Sequence, residues 1–200
     1  MNGVIFQAGD QKYKPFFEIT SPLAKEYAKK INCDYKLFIS KGPTNRHPSW
    51  GKIYALRDLL LEFDWALLLD GDALIINHNI NITKCLKTKH HIYACSDGVG
   101  KKPWNFNSGV MLFKSSMLTK HFAKNIINTK FTEFYFNRNW EQNAMHNEIK
   151  ENYPLYKDKI KIHNSNFFNH DSRFIYHPVF GEGFSDSDKI EVLKSKARSA

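Results

Sequence analysis

Two carboxylates one residue apart, Asp70 and Asp72, stand directly after a continuous apolar run, Trp65–Leu69. An Asp-x-Asp pair alone says little in a chain with eleven Asp, and a second pair occurs at Asp186 and Asp188. Context separates them. The later pair lies among Ser, Gly and Phe with no strand before it, whereas Asp70 closes a run that reads as a buried strand. Open α/β sheets bind ligands at the carboxyl ends of such strands. Desolvated carboxylates are costly unless something cationic meets them. A hard divalent ion, Mn2+ or Mg2+, takes carboxylate oxygens and keeps positions open for phosphate, so a metal-diphosphate site fits the pattern. A capped turn with both Asp in water is the other arrangement open to it.

The flanking elements are those of an α/β protein. Val4–Gln7 reads as a first strand stopped by Ala8, Gly9 and Asp10. Ser21 and Pro22 read as a helix start, with Leu23, Tyr27 and Ile31 on one face of a helix ending near Asn32. Tyr35–Ile39 is the next strand. Between Lys52 and Phe63, the residues Ile53, Leu56, Leu59 and Leu60 recur at helical spacing and lead into Trp65–Leu69, a strand suited to burial on both faces of a parallel sheet. Further strands are expected at Ala73–Ile76, His91–Cys95, Gly109–Phe113 and Arg173–His177, and helices at Ser116–Ile127 and Glu141–Glu148. The stretch Gly181–Ala200 reads as loop and basic tail, the tail proper covering 185–200. Strands alternating with helices imply an α/β sheet, and at 200 residues one domain over 1–200 is expected.

Composition excludes collagen-like, mucin-like and disordered chains, with 42% hydrophobic and 24% charged residues. Sixteen Phe and nine Tyr supply core and flat faces on which sugars or bases can stack. A formal charge of +9 favours anionic partners in general. The Lys and Arg residues are spread along the chain apart from Lys189–Arg198, which argues for a generally basic surface and against a nucleic-acid arm. Cys33, Cys85 and Cys95 lack metal-type spacing and read as reduced thiols. No run reaches the roughly eighteen apolar residues of a membrane helix, and no signal peptide is evident, so a cytoplasmic protein without a membrane span is expected.

The stretch Trp50–Asn77, WGKIYALRDLLLEFDWALLLDGDALIIN, resembles the core motif of the GT-A glycosyltransferases, especially the yeast-type galactosyl- and mannosyltransferases and the plant xyloglucan xylosyltransferases, and more distantly glycogenin. Four further pieces follow in the family's order: Ser96–Gly98, Phe106–Phe113, Glu141–Met145 and Phe174–Gly181. Together they span most of the chain. The resemblance implies a Rossmann-like, mostly parallel mixed sheet flanked by helices; with no membrane stalk of a Golgi enzyme in view, a cytoplasmic or virus-encoded enzyme, or one excised domain of a larger chain, is expected.

Carried over residue by residue, the resemblance makes Asp72 a metal ligand, Asp70 a contact to metal or ribose beside Gly71, and His177 the third protein ligand. Lys52, with Arg57 as a companion, takes the place of a donor-binding cation, and Asp97 that of a carboxylate accepting hydroxyls of the donor sugar. Asn107 and Ser108 match the acceptor-side edge of the pocket. Gln142 and Glu141 match residues beside the anomeric carbon; Gln142 would stabilise charge or orient the sugar, and Glu141 would orient Gln142 or act as base. Ala8, Asp10 and Tyr13 resemble a nucleoside pocket.

The implied reaction is transfer of a sugar from a nucleotide-diphosphate donor, UDP-linked above all, to a hydroxyl of a glycan acceptor, with retention of anomeric configuration because the Gln142 amide cannot act as base; in an inverting enzyme on the same scaffold, Glu141 or Asp97 would be the catalytic base that deprotonates the acceptor. Two alternatives differ in class. A haloacid-dehalogenase-type phosphatase also places an Asp pair after a buried strand, but on its first strand and followed by Gly-Thr, where this chain has Ala73. A non-catalytic nucleic-acid or glycan-binding module would rest on charge and aromatics alone.

Overall fold

A computed structural model describes residues 1–39, 43, 45–97, 102, 104–135, 140–164, 168, 173–178 and 185–200. The elements run β1 (Gly3–Gly9), α1 (Lys14–Lys30), β2 (Asp34–Ile39), α2 (Gly51–Glu62), β3 (Trp65–Leu69), β4 (Leu74–Ile75), β5 (Ile92–Cys95), β6 (Asn107–Lys114), α3 (Met117–Ile127), α4 (Trp140–Glu151), α5 (Tyr153–Tyr156), β7 (Ile160–His163), β8 (Ile175–Tyr176) and α6 (Asp186–Arg198).

Six strands form one sheet in the order β2-β1-β3-β6-β5-β7. β1 is parallel to β2 and β3, and β5 to β7, whereas β6 runs antiparallel to both β3 and β5. The sheet is therefore mixed and mostly parallel, as expected. Because β6 is reversed, its amino end lies beside the carboxyl end of β3. A second, two-stranded ladder pairs Leu74 with Tyr176 and Ile75 with Ile175.

The pleat divides the core. Ala66 and Leu68 of β3 join Ile53, Leu56 and Leu60 of α2 and Phe122 of α3 on one face. Trp65, Leu67 and Leu69 join Ala24, Tyr27 and Ala28 of α1 on the other. Every residue of β3 is buried, which accounts for its unbroken apolar run. Its neighbours are one parallel and one antiparallel strand, in keeping with the mixed sheet.

Three local readings also change. Helix α1 begins at Lys14, with Pro15 in its first turn, and runs through Ser21 and Pro22. Pro22 removes one interior hydrogen bond, and burial of Phe16, Phe17 and Thr20 carries the helix across that site. The segment taken as a basic tail contains helix α6, whose amino end is a capping box between Ser185 and Asp188. Its residues Ile190, Leu193 and Ala197 pack with Phe16, Ile19 and Leu23 of α1. Finally, β7 had no counterpart in the sequence reading.

Candidate active site at the carboxyl end of β3

The Asp70-Gly71-Asp72 turn is fixed from beneath by its backbone. The Asp70 N–H donates to the Gly109 carbonyl at 2.7 Å, and the Ala73 N–H closes the turn on the Asp70 carbonyl at 3.0 Å. Gln7 of β1 donates from Nε2 to the Asp70 carbonyl at 3.1 Å and to Thr20 Oγ1 at 3.0 Å. Thr20 Oγ1 reaches the Gly71 carbonyl at 2.9 Å, and the Tyr35 hydroxyl donates to Gln7 Oε1 at 2.8 Å. Gln7 and Thr20 are fully buried. A satisfied buried network of this kind has little freedom, so it fixes the backbone from which both carboxylates project.

His177 arrives from late in the chain because β8 pairs with β4 immediately after the turn. Its Nε2 lies 3.2 Å from Asp72 Oδ1, and ligand atoms of Asp70, Asp72 and His177 all fall within 4.8 Å of one another. Gly109 makes this approach possible: a Cβ there would sit 2.2 Å from His177 Cε1 and 2.8 Å from Asp70 Oδ2. Burial works against the charged form of all three groups. Asp72 nonetheless holds the imidazole above its ordinary value, and His177 in turn holds Asp72 below the usual carboxylate range. Burial dominates at Asp70 and raises it, against the opposing pull of Lys52 and His177.

A second cluster adjoins the first. Lys52, on the first turn of α2 and 4% exposed, places Nζ 2.8 Å from Asp70 Oδ1 and 2.7 Å from Glu141 Oε1. Burial would lower its pKa, but Asp70 and Glu141 raise it, and the ammonium stays charged. Burial is likewise outweighed at Glu141, which Lys52 holds low. Glu141 Oε1 accepts from the Ser108 hydroxyl at 3.2 Å, while the Ser108 N–H donates to Gln142 Oε1 at 2.9 Å. Ser108 thus links the two α4 residues, and the contact settles which end of the Gln142 amide faces β6.

A cavity of about 380 Å3 opens beside these groups, lined by Ala8, Asp10, Tyr13, His47 and Ser49 as well as Lys52, Asp70, Gly71 and Glu141. The Tyr13 ring leans on Phe16 and Phe17 at centroid distances of 5.5 and 6.3 Å. It also overlies Gly71, where a Cβ would fall 2.7 Å from Tyr13 Cδ1. Burial, then Asp72 and Asp70, push its phenol above the ordinary range, so it remains protonated.

Most residues singled out in the sequence therefore converge. Asn107 lies at the same rim, its Oδ1 accepting the Gly109 N–H at 2.8 Å. Asp97 follows β5, whose Cys95 faces Asn107, and its charge acts on His146 of α4. Arg57 is the exception. Five residues beyond Lys52, it is turned about 140° around the helix. It pairs with Asp58 at 2.7 Å on the exposed side of α2, so the structure does not bring it to the cluster. The sequence reading missed Gln7, Thr20, Tyr35, His47, Ser49 and Gly109. A lone Gln inside an apolar strand was the available clue to the first three.

No protein-family model matches the chain, and no curated protein matches it in sequence. Solved structures do match. A glycosyltransferase involved in glycosylation of the major capsid of PBCV-1 superposes with a TM-score of 0.71 at 15% identity, over 97% of this chain and 98% of that one. The galactosyltransferase LgtC, solved with donor and acceptor sugar analogues, gives 0.64 at 14% identity over 98% and 95%. A Drosophila β1,4-galactosyltransferase 7 variant, solved with manganese, UDP-Gal and xylobiose, gives 0.57 at 11% identity over 94% and 79%. The chain adopts the GT-A fold of these glycosyltransferases along nearly its whole length.

Proposed function

We propose that the protein is a metal-dependent glycosyltransferase that takes a nucleotide-diphosphate sugar, UDP-linked, and passes its sugar to a hydroxyl of a glycan acceptor with retention of configuration. The observation that carries this reading is the convergence of Asp70, Asp72 and His177 within 4.8 Å at the carboxyl end of β3. Two hard carboxylates and one imidazole suit Mn2+ or Mg2+, and the missing side chain at Gly109 leaves room for His177 to complete the set. Bound there, such an ion supplies positive charge to a departing diphosphate.

The rest of the reading concerns this chain's own groups. The cavity running from Asp70 and Gly71 to Asp10 and Tyr13 fits a nucleoside diphosphate, with the Tyr13 ring as a flat wall and Ala8 giving the base a close approach. Lys52 is committed to Asp70 and Glu141, so it serves to hold those carboxylates as much as to meet phosphate. Glu141, buried and held ionised by Lys52, is better suited to positioning than to proton abstraction. Through Ser108 it steadies Gln142, whose Oε1 is engaged with backbone and whose Nε2 remains to donate to a sugar or acceptor oxygen. A neutral amide at that position fits retention better than inversion. Asp97, at the rim near Asn107, suits hydroxyl recognition on the donor sugar.

The phosphatase alternative loses support. Its Asp pair belongs on a first strand, whereas here β1 carries Gln7 and the pair ends β3. The test is calorimetric titration of UDP with and without Mn2+, on the wild type and on Asp72→Ala, alongside a screen of UDP- and GDP-sugars for Mn2+-dependent donor hydrolysis with product stereochemistry read by NMR. Metal-dependent UDP binding lost in Asp72→Ala supports the proposal; UDP binding that Mn2+ does not strengthen, or that Asp72→Ala retains in full with Mn2+ present, refutes it.

A further inference from the structure

The catalytic reading does not absorb the basic charge of the chain. The fold collects part of it at one corner. Two stretches far apart in sequence, 84–91 and 157–163, meet where β7 pairs with β5: the His91 and Ile92 N–H groups both donate to the Lys159 carbonyl, at 2.7 and 3.1 Å, and Tyr93 stands opposite Lys161. Lys114, at the end of β6, joins them. Its N–H donates to the His91 carbonyl at 2.8 Å and its Nζ to the Leu86 carbonyl at 3.3 Å.

Lys87, Lys89, Lys114, Lys157, Lys159 and Lys161 therefore share one end of the sheet, with Asp158 among them and Asp64 beside Lys114, where the Asp64 carbonyl accepts the Ser115 N–H at 2.7 Å. Among the described residues none of these lysines has an ion-pair partner. Neighbouring histidines register the crowding. Burial lowers the pKa of His90, His91 and His163, and the nearby lysines lower each of them further. These rings are neutral at pH 7, so the positive charge of the corner is that of its lysines.

Two large apolar side chains flank this charge in the open. Met117, at the start of α3 three residues past Lys114, is 68% exposed, and Leu155, two residues before Lys157, is 63% exposed. The helices bearing them adjoin, since Phe122 of α3 packs on Tyr156 of α5 at 5.8 Å. Unpaired lysines beside protruding aliphatic groups match the layered chemistry of an anionic bilayer surface, charge at the headgroups and apolar matter just beneath. Duplex nucleic acid offers the charge, but takes up aliphatic groups only by unstacking its bases, which is costly.

We infer that this corner, at the pole opposite Asp70 and Asp72, docks the protein on the surface of a membrane containing anionic lipid. β5 and β7 run in the same direction as β3, so their amino ends lie away from the Asp pair, and docking leaves the sugar-nucleotide pocket open to solvent. The inference does not depend on the proposed reaction.

Vesicle co-sedimentation tests it, using phosphatidylcholine vesicles with and without about one phosphatidylserine in three lipids. The expected result is binding to the mixed vesicles alone, weakened by raised salt, and reduced about tenfold or more by Lys89→Glu/Lys159→Glu/Lys161→Glu. Leu155→Ser/Met117→Ser should weaken binding severalfold without altering its salt dependence, while the charge-matched Lys25→Glu/Lys29→Glu/Lys30→Glu on α1 should retain most of it. Equal loss in the α1 variant, equal binding to neutral vesicles, or tighter binding to a duplex DNA oligomer than to the mixed vesicles overturns the inference. Salt titration of the wild type gives a readout that does not depend on the folding of any variant.

Discussion

Gly109 offers a severe test of the site geometry, because its smallest substitution acts on two of the proposed ligands, His177 and Asp70, at once. In Gly109→Ala the new Cβ falls 2.2 Å from His177 Cε1 and 2.8 Å from Asp70 Oδ2. Carbon atoms ordinarily rest about 3.5–4.0 Å apart, so the imidazole must retreat by about 1.3 Å or more. It has little room, being 6% exposed and held at 3.2 Å from Asp72. Overpacking of this kind costs about 1–3 kcal/mol, and at this chain length each kcal/mol lowers Tm by about 2–4 °C. Since an Ala in a strand is otherwise slightly better than Gly, a lower Tm has no competing backbone cause. Thermal unfolding followed by circular dichroism should show the drop in Gly109→Ala. In Gly109→Ala/His177→Ala the added methyl should cost little, giving a coupling of about 0.5–3 kcal/mol between the two positions. The single variant should also lose Mn2+ affinity by calorimetry. A Tm equal to wild type, or strictly additive effects in the double variant, would show that residue 109 and the His177 ring do not meet as described.

Three further outcomes follow from the surrounding groups. Lys52→Met strips the shared cation from Asp70 and buried Glu141 and should cost about 3–5 kcal/mol in urea denaturation, much of it recovered in Lys52→Met/Glu141→Gln. Gln7→Leu keeps the volume but removes the donor to the Asp70 carbonyl and the acceptor of the Tyr35 hydroxyl, which should cost about 1–3 kcal/mol and weaken Mn2+-dependent UDP binding, as calorimetry can show. His163 has its folded pKa lowered to about 4, so the unfolded chain takes the proton first on acidification. Its contribution is complete above the ordinary histidine pKa of about 6.5 and is lost as pH falls towards 4; after discounting for solvent screening of a half-exposed ring it amounts to about 1 kcal/mol, measurable as a flatter pH dependence of the urea midpoint in His163→Phe.

The strength of the sequence reading lay where local pattern and burial coincide. Trp65–Leu69 is apolar throughout because both its faces are covered, and carboxylates after such a run mark a sheet's carboxyl edge. His177 is different. Nothing local distinguishes it among nine His, and only the ordered resemblance of the motifs identified it. Gln7 and Gly109 were invisible for a related reason: their work is done through partners 63 positions away at Asp70 and 68 positions away at His177, contacts that exist only once the sheet is assembled. Pro22 misled because a proline after Ser imitates a helix start, while seven buried side chains kept α1 intact across it. Helix α6 was overlooked because its apolar stripe is sparse among lysines, although Ser185 and Asp188 at the spacing of a capping box announced its beginning.

The short ladder that delivers His177 is separate from the six-stranded sheet that carries the Asp pair. Among the described residues β4 and β8 pair at two positions, reinforced by the Ile76 N–H on the Phe174 carbonyl at 2.9 Å, whereas β3 is zipped on both sides within a six-stranded sheet. A ribbon so brief should open at far lower free energy than its neighbours, so amide hydrogens at residues 74–76 should exchange well before those of β3. Each such opening would withdraw the imidazole while the paired carboxylates stay in place. Exchange of that kind would make the proposed third ligand a detachable latch, governed by a local equilibrium separate from the stability of the whole protein.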